Sequence, residues 1–247
     1  MSYFRNFQKV DYDIRGEGFA QSLTNLTHFT TISAKLVDNI TFYSFYNIQD
    51  GARPDNVSYE LYDTPDYYWT FFLVNPELKN LYQDWPKNSA DLVDFAESKY
   101  NTLAAISAVV GSGFGQIADR FEIGETVQGG VTGALGTLVG KYPTLGYLEI
   151  EPISGTFDPN GEGIFGTSSQ DFLSTSAIVK KAYAPRYHVD VNTGDRGPRR
   201  TAGTQPYTNF DYEYDKNLER SRIRVIKKRY IADVARTFEN EMKKKGL

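Results

Sequence analysis

The sequence predicts an α+β fold, in which a strand–helix–helix–strand module with flanking helices carries an inserted small all-β domain. Two observations predict this class. Up to about residue 104, and again after residue 220, helical apolar spacing alternates with short runs rich in β-branched and aromatic residues. Between residues 105 and 175, glycine is frequent, charge is sparse and short alternating runs lie between glycine turns. We therefore expect three segments: 1–104, 105–175 and 176–247.

The first segment begins with residues 1–24, whose polar composition and scattered aromatic side chains predict an arm. Apolar positions at helical spacing predict a helix over residues 26–37. The β-branched and aromatic run 40–48 predicts a strand, and residues 49–51 have the composition of a turn that ends it. A short helix is then expected to end at Tyr62.

Residues 66–75, DYYWTFFLVN, contain five aromatic and two aliphatic residues. Thr64 offers an N-cap and Pro65 suits the first helical position, so we expect one capped helix that is apolar on nearly all sides. Such a helix is buried on most of its circumference, and we expect other subunits to complete its cover. Further helix starts are expected at residue 75 and at residues 88–89.

The middle segment contains two phrases that echo each other, at residues 121–129 and 157–166. Each has Phe, then Gly-Glu, a short apolar step and Gly. Between them, residues 140–151 predict a turn followed by a strand in which Leu148 and Ile150 alternate with polar or aromatic neighbours. Short strands at this spacing predict a small β-barrel or sandwich.

The last segment opens with the turn-rich residues 184–210, for which we expect an exposed loop. Residues 222–226 alternate like a strand. Apolar residues then recur at four-residue intervals from Tyr230 to Met242, which predicts an amphipathic helix with a cationic end.

Composition excludes several classes of site. The chain has no cysteine, so disulfides, a cysteine nucleophile and cysteine metal sites are excluded. The net charge of −4 is uneven, because residues 216–245 contain eleven basic and four acidic residues. Such asymmetry can steer charged partners together, and it is also typical of a solvated basic helix beside an acidic surface domain. No apolar run has the length of a membrane helix, and no binding of nucleic acid is expected.

No set of residues predicts catalysis, a metal site or a cofactor site. His188 and Asp190 would share a strand face, but no nucleophile pattern accompanies them. Glu149 and Glu151 would also share a face, and strand alternation alone explains that pair. The glycine-rich residues 111–115 lack the Lys-Ser/Thr of a phosphate loop. We therefore expect a protein that is not an enzyme, with no cofactor and no small-molecule substrate.

Residues 42–100 combine an aromatic strand, an Arg-Pro turn, a helix ending in Leu-Tyr, a Thr-Pro start and Tyr-Trp before an apolar run. This stretch resembles the small wedge subunit of the baseplates of T-even-type contractile-tailed phages. The closing residues 222–242 resemble that family's final strand and helix. The region from Tyr46 to Pro76 is also similar to a LysM unit, which in baseplate subunits docks proteins and in enzymes binds peptidoglycan. Residues 105–175 have no counterpart in the wedge subunit.

The resemblance implies a structural virion protein that docks to neighbouring wedge subunits and helps join wedges into the baseplate ring of a contractile phage tail. It implies other wedge subunits and the sheath-initiating subunit as partners, assembly in the host cytoplasm and a place in the tail baseplate. A LysM-like peptidoglycan-binding tail protein is the alternative, and a tail lysozyme is a weaker one because strand alternation alone explains the pair Glu149 and Glu151. Trp69 and Phe72 are expected in the core. The residues expected at protein interfaces are Tyr62, Tyr67, Tyr82, Trp85, Arg222, Arg224, Lys227, Lys228 and Arg229.

Overall fold

The structure is a computed structural model, and it describes residues 9–14, 16–24, 41–80, 83–109, 112–197 and 201–244. The predicted helix over residues 26–37 and Tyr82 lie outside this range. The mixture of helices and strands confirms the α+β class. One compact unit comprises Met1–Ser89 with Asn217–Leu247, and a second comprises Ala90–Lys216. The division into three segments stays a prediction.

The elements follow the chain in this order. The strands are β1 (Lys9–Tyr12), β2 (Gln21–Thr24), β3 (Tyr43–Asn47), β4 (Leu103–Ser107), β5 (Thr126–Gly129), β6 (Leu135–Tyr142), β7 (Tyr147–Ser154), β8 (Gly163–Gly166), β9 (Phe172–Lys180), β10 (Pro185–Asp190), β11 (Arg196–Gly197), β12 (Thr204–Thr208) and β13 (Arg222–Ile226). The α-helices are α1 (Pro54–Tyr62), α2 (Trp69–Val74), α3 (Ser89–Lys99), α4 (Ser112–Arg120), α5 (Asn209–Ser221) and α6 (Lys228–Lys244).

The first unit is built around an antiparallel ribbon of β3 and β13, with Phe45 opposite Arg224. Strand alternation turns Ile223 and Val225 to one face of this ribbon, where they are buried. Helices α1, α2 and α6 pack on that face. The core they share with the ribbon comprises Ile48, Val57, Tyr62, Phe71, Val74, Leu78, Trp85, Ile223, Val225, Ile226, Ile231 and Val234.

The aromatic stretch after Thr64 is covered in part by its own chain. It is divided into a 3₁₀ turn, Pro65–Tyr67, and the short helix α2. Phe71 is fully buried in the core that includes β13, and the Trp69 ring lies 4.7 Å from the ring of Phe238 on α6. Other side chains of the stretch, among them Tyr67 and Leu73, are only half-buried, so the expectation that other subunits complete this cover stays a prediction. Trp69 is buried as expected, whereas Phe72 is half-buried.

Two local predictions also differ from the structure. Residues 75–78 form a turn rather than a helix start, because the side chain of Asn75 bonds to β13 instead of capping a following helix. Residues 184–210, expected as an exposed loop, contain a three-stranded antiparallel sheet in the order β11–β10–β12 and the start of α5. The pairing of β10 with β12 spans the connection that contains β11, and local turn composition does not reveal such a pairing.

The second unit contains a closed barrel in the strand order β4–β7–β6–β5–β8–β9. Alternate strand residues fill its interior, and the Phe114 and Ala118 side chains of α4 join that core. The predicted choice of barrel or sandwich thus resolves to a barrel. The other core residues are Ala105, Phe121, Val127, Ala134, Leu138, Leu148, Ile150, Phe157, Ile164, Leu173 and Ile178.

Two buried glutamates each accept hydrogen bonds from the backbone of a turn that follows a neighbouring barrel strand. Glu125, just before β5, accepts hydrogen bonds from the backbone amides of residues 168–169, in the turn after β8. Glu162, just before β8, accepts hydrogen bonds from the backbone amides of residues 131–132, in the turn after β5. Since β5 and β8 pair antiparallel, each carboxylate closes the other strand's turn. The similar sequences of residues 121–129 and 157–166 therefore form two similar structures, in which each glutamate binds the turn that follows the other strand.

The backbone repeats the same symmetry. Gly124 and Gly161, which precede the two glutamates, have φ of 93° and 96°. Gly133 and Gln170, which occupy equivalent places in the two turns, have φ of 69° and 59°. A left-handed conformation disfavours a side chain with a Cβ, so Gln170 is the strained member of its pair. The barrel therefore contains two copies of one strand-and-turn device.

We predict that Glu125→Gln and Glu162→Gln each destabilise the barrel by about 1–3 kcal/mol, because each removes charge-assisted hydrogen bonds to buried amides. Amide hydrogen exchange in β5 and β8 measures the loss. Glu151→Gln is the matched control, since Glu151 is exposed on the same barrel, and it should change stability by less than about 0.5 kcal/mol. Equal exchange in all three variants would contradict the locking role.

We also predict that barrel stability falls in acid. Burial raises the pKa of Glu125 and Glu162, but the hydrogen bonds that their carboxylates accept outweigh it and leave both pKa values below the usual range. A depressed folded-state pKa contributes stability that is present above the unfolded value of about 4.3. That stability is lost as the pH falls through the lower folded-state pKa. Hydrogen exchange in β5 and β8 across this range, in wild type and in a Glu125→Gln/Glu162→Gln variant, should show a smaller acid effect in the variant.

Candidate interaction surface

The outer face of the β3–β13 ribbon presents aromatic and arginine side chains to solvent. Opposite residues of an antiparallel pair share a face, which places Tyr43, Phe45, Arg222 and Arg224 together. The guanidinium carbon of Arg222 lies 4.6 Å from the centroid of the Phe45 ring, and that of Arg224 lies 5.4 Å from the Tyr43 ring. Phe45 is 52% exposed. We call these four residues the ribbon patch.

The ribbon patch has the composition of a protein interface. Arg and aromatic residues are enriched at interfaces and among the residues that dominate their binding energy. The Tyr43 and Phe45 rings meet edge to face, with centroids 5.8 Å apart, and the two cation–π contacts hold the guanidinium groups over them. The surface is therefore ordered before any partner arrives, which lowers the entropy cost of binding.

The other predicted basic residues have local partners. Lys227 donates a hydrogen bond to the carbonyl oxygen of Thr41, with 3.0 Å between Nζ and O. Lys228 forms an exposed ion pair with Asp63. The guanidinium carbon of Arg229 lies 4.7 Å from the ring centroid of Tyr230, next to it in sequence. Of the five basic residues predicted at an interface, the ribbon patch therefore contains Arg222 and Arg224.

The predicted aromatic interface residues are mostly buried in their own unit. Tyr62 is 6% exposed, and its hydroxyl donates to the carbonyl oxygen of Ile226 at 2.9 Å. Burial raises the pKa of Tyr62 above its usual value. Trp85 is 8% exposed, and its indole Nε1 donates to the carbonyl oxygen of Ala52 at 2.8 Å. Tyr67 is half-buried. These contacts give Tyr62 and Trp85 a role in the core, and their interface role stays a prediction that the structure does not favour.

Strands β1 and β2 form a second exposed surface, which the sequence analysis missed. Their register places Val10, Tyr12 and Leu23 on one face, and these side chains are 45%, 59% and 38% exposed. A two-stranded hairpin without a core is marginally stable in water. The turn is held by the Asp13 carboxylate, whose oxygens accept the amide hydrogens of Gly16 and Gly18. Apolar residues at positions 10 and 12, alternating with polar ones and followed by these glycines, could have predicted the hairpin.

Of the two carboxylate candidates for catalysis, Glu149 has structural partners. Glu149 is buried and accepts hydrogen bonds from Thr102, Tyr142 and Lys181 at 2.7, 2.9 and 2.7 Å. Burial raises its pKa, and the bonds from Lys181, Thr102 and Tyr142 outweigh that effect and lower it. Glu151, two residues along β7, is exposed. Structural contacts therefore account for the position of Glu149 in the barrel.

The described residues contain no group of three or more His, Asp or Glu side chains arranged to hold a metal ion. In the same part of the chain, every helix is too short or too polar to cross a bilayer. His188, the histidine of the candidate His–Asp pair, is 2% exposed.

Comparison with protein families supports a structural role. Residues 4–112 match the model of a family described as base plate wedge protein 53. The matched stretch includes the hairpin β1–β2, strand β3 and helices α1 and α2, and it supports a phage baseplate wedge protein. It agrees with the resemblance noted for residues 42–100. A search of curated proteins with the chain found no match.

We predict that Asn75→Ala destabilises the ribbon by about 1–3 kcal/mol. Asn75 is buried, its Nδ2 donates to the carbonyl oxygen of Arg224 at 2.9 Å, and its Oδ1 accepts the Arg224 amide at 2.8 Å. Alanine would leave both backbone groups of Arg224 without that partner. Amide exchange in β13 measures the effect, with Asn47→Ala at the exposed end of β3 as control. An equal response to the two substitutions would rule out this role for Asn75.

Proposed function

We propose that the chain is a structural subunit of the baseplate wedge in a contractile phage tail, which docks to neighbouring wedge proteins and helps join wedges into the baseplate ring. The match of residues 4–112 to the base plate wedge protein 53 family carries this proposal. The subunit acts by burying complementary surfaces and makes or breaks no bonds. Its partners are other wedge subunits, with the sheath-initiating subunit as a further candidate, and it joins the virion baseplate after assembly in the host cytoplasm.

The geometry supports docking through surfaces that a free chain leaves open. The ribbon patch offers two arginines over two aromatic rings, and the hairpin β1–β2 offers an apolar face. Strand β3 and the hairpin lie inside the matched stretch, while β13 lies outside it. The chain thus combines surfaces from the family region with arginines supplied by its C-terminal strand.

The order β3–α1–α2–β13 supports a LysM-like module, because two antiparallel strands are separated in sequence by helices that pack on one face of them. We propose that the module docks proteins, and that residues 105–175 are a domain inserted between its second helix and its closing strand. The barrel strands β5 to β8 fall wholly within those residues.

The same strand–helix–helix–strand order favours a second candidate, a LysM-like tail protein that binds peptidoglycan. Retention of the purified chain on insoluble peptidoglycan distinguishes the two. Saturable retention that free glycan fragments compete away would support the glycan-binding function. Retention no greater than that of an unrelated acidic protein would support docking.

We predict that the double substitution Arg222→Glu/Arg224→Glu lowers incorporation of the chain into tails about tenfold, because like charges then face an acidic partner. Mutant chain is supplied to a phage lacking its own copy, and chain per tail is measured by quantitative mass spectrometry. Arg236→Glu is the matched control, since Arg236 is exposed on α6 with only a 3.9 Å pair to Asp233.

Circular dichroism and thermal unfolding check that the double variant is folded, since each lost cation–π contact is worth only about 0.5–1 kcal/mol at an exposed site. Incorporation equal to wild type, with a normal fold, would overturn the docking role of the ribbon patch.

A further inference from the structure

The backbone of β3 has one edge that pairs with β13 and one that faces away. The Ile48 amide donates to the carbonyl of Ser221, and the Lys227 amide donates to the carbonyl of Phe42. In an antiparallel pair, hydrogen-bonded and non-hydrogen-bonded positions alternate. This register therefore turns the backbone N–H and C=O groups of Tyr43, Phe45 and Asn47 outward, away from β13.

The two outer edges of the ribbon differ. On β13, the outward amide and carbonyl of Arg224 bond to Asn75, and the carbonyl of Ile226 accepts the Tyr62 hydroxyl. On β3, no hydrogen bond to the outward backbone groups is found within the described part of the chain. Ser44, Phe45 and Asn47 are exposed.

Strand β3 also lacks the features that usually protect an edge. Natural edge strands are blunted by charged side chains, proline or a β-bulge. The sequence of β3, YSFYN, has no charge and no proline, and its register with β13 is continuous over all five residues. An edge with these properties is a template for another strand.

The charge beside this edge selects the partner. The cation–π contacts carry the guanidinium groups of Arg222 and Arg224 across from β13 to lie over the rings on β3. On the opposite face, the Tyr46 hydroxyl donates a hydrogen bond to the Glu60 carboxylate at 2.8 Å. Burial, together with this carboxylate, raises the pKa of Tyr46 to about 12. Positive charge thus lies over the outer face next to the free edge.

We propose that the free edge of β3 accepts an extended acidic segment of a partner protein as a third strand of the ribbon. The backbone groups of Tyr43, Phe45 and Asn47 supply the hydrogen bonds. Carboxylates at alternate positions of the added strand meet the two guanidinium groups, because alternate side chains share a face. The proposal rests on the proposed function only in taking the partner to be a baseplate protein.

Two synthetic octapeptides test the mode of binding without any tail component. One alternates Glu and Val, and the other alternates Lys and Val. Binding of each labelled peptide to the full chain is measured by fluorescence anisotropy at low ionic strength, where charge effects are least screened. The Glu-Val peptide should bind the wild-type chain about tenfold or more tightly than the Lys-Val peptide.

Phe45→Pro removes one outward N–H without removing a bond to β13, and proline is tolerated on edge strands. Phe45→Ala is its matched control, because it removes the ring and keeps the N–H. Phe45→Pro should weaken Glu-Val binding about tenfold relative to Phe45→Ala, and Arg222→Glu/Arg224→Glu should reverse the preference between peptides. No binding of either peptide, equal binding of both, or equal affinities of the Pro and Ala variants would overturn the proposal.

Hydrogen exchange on the wild-type chain gives a readout that needs no variant to fold. Saturating Glu-Val peptide should slow exchange at the amides of Tyr43, Phe45 and Asn47, while the amides of the barrel strands are unchanged. Unchanged exchange at those three amides would also overturn the proposal. If these tests fail and the wild-type chain is present in tails, the wedge function stands and the strand-addition proposal falls. If the wild-type chain binds the peptide but is absent from tails, the wedge function falls and the strand-addition proposal stands.

Discussion

The antiparallel pairing of β3 with β13 is the constraint on which the first unit depends. It joins residues separated by most of the chain, such as Phe45 and Arg224. The bonds between Asn75 and Arg224, 149 residues apart, add a second long-range link to β13. Ile223 and Val225 of β13 belong to the core that contains Phe71 and Trp85, so that core is incomplete without β13. Non-local pairing of this kind delays folding, because loop closure must precede the contacts that reward it. The exposed ribbon patch is a consequence of the same pairing.

In both units, polar side chains form hydrogen bonds with backbone groups that no neighbouring strand reaches. Asn75 presents an amide to the outer edge of β13 in the way a neighbouring strand would. Glu125 and Glu162 do the same for the two barrel turns, where glycine or a left-handed backbone leaves amides to be satisfied. Buried backbone groups need partners, and a single well-placed side chain can supply them. Among the described residues, no such side chain closes the outer edge of β3, and this difference between the two edges underlies the proposal that another strand pairs there.

Local pattern was enough to predict some elements. Strand β13 and helix α6 follow directly from alternation and from four-residue spacing. Short strands between glycine turns predicted a small barrel or sandwich, and only the strand order of the structure shows a closed barrel. The sequence did not show that the aromatic residues near Trp69 pack against α6, because periodicity reveals an apolar face and not its distant cover. For the same reason, the sequence did not show that Tyr62 and Trp85 are buried. Residue type suggested an interface, whereas long-range packing placed both in the core. The ribbon arginines were predicted, but the rings beneath them depend on strand register.

We propose that β3 and β13 together form a docking surface that joins this chain to a phage baseplate. Electron cryomicroscopy of an assembled tail from the phage that encodes the chain tests this most directly. The account predicts density for the chain within the baseplate, with the outer face of Phe45, Arg222 and Arg224 covered by an acidic segment of another subunit. A tail without the chain, or one in which that face meets solvent in every copy, would contradict it.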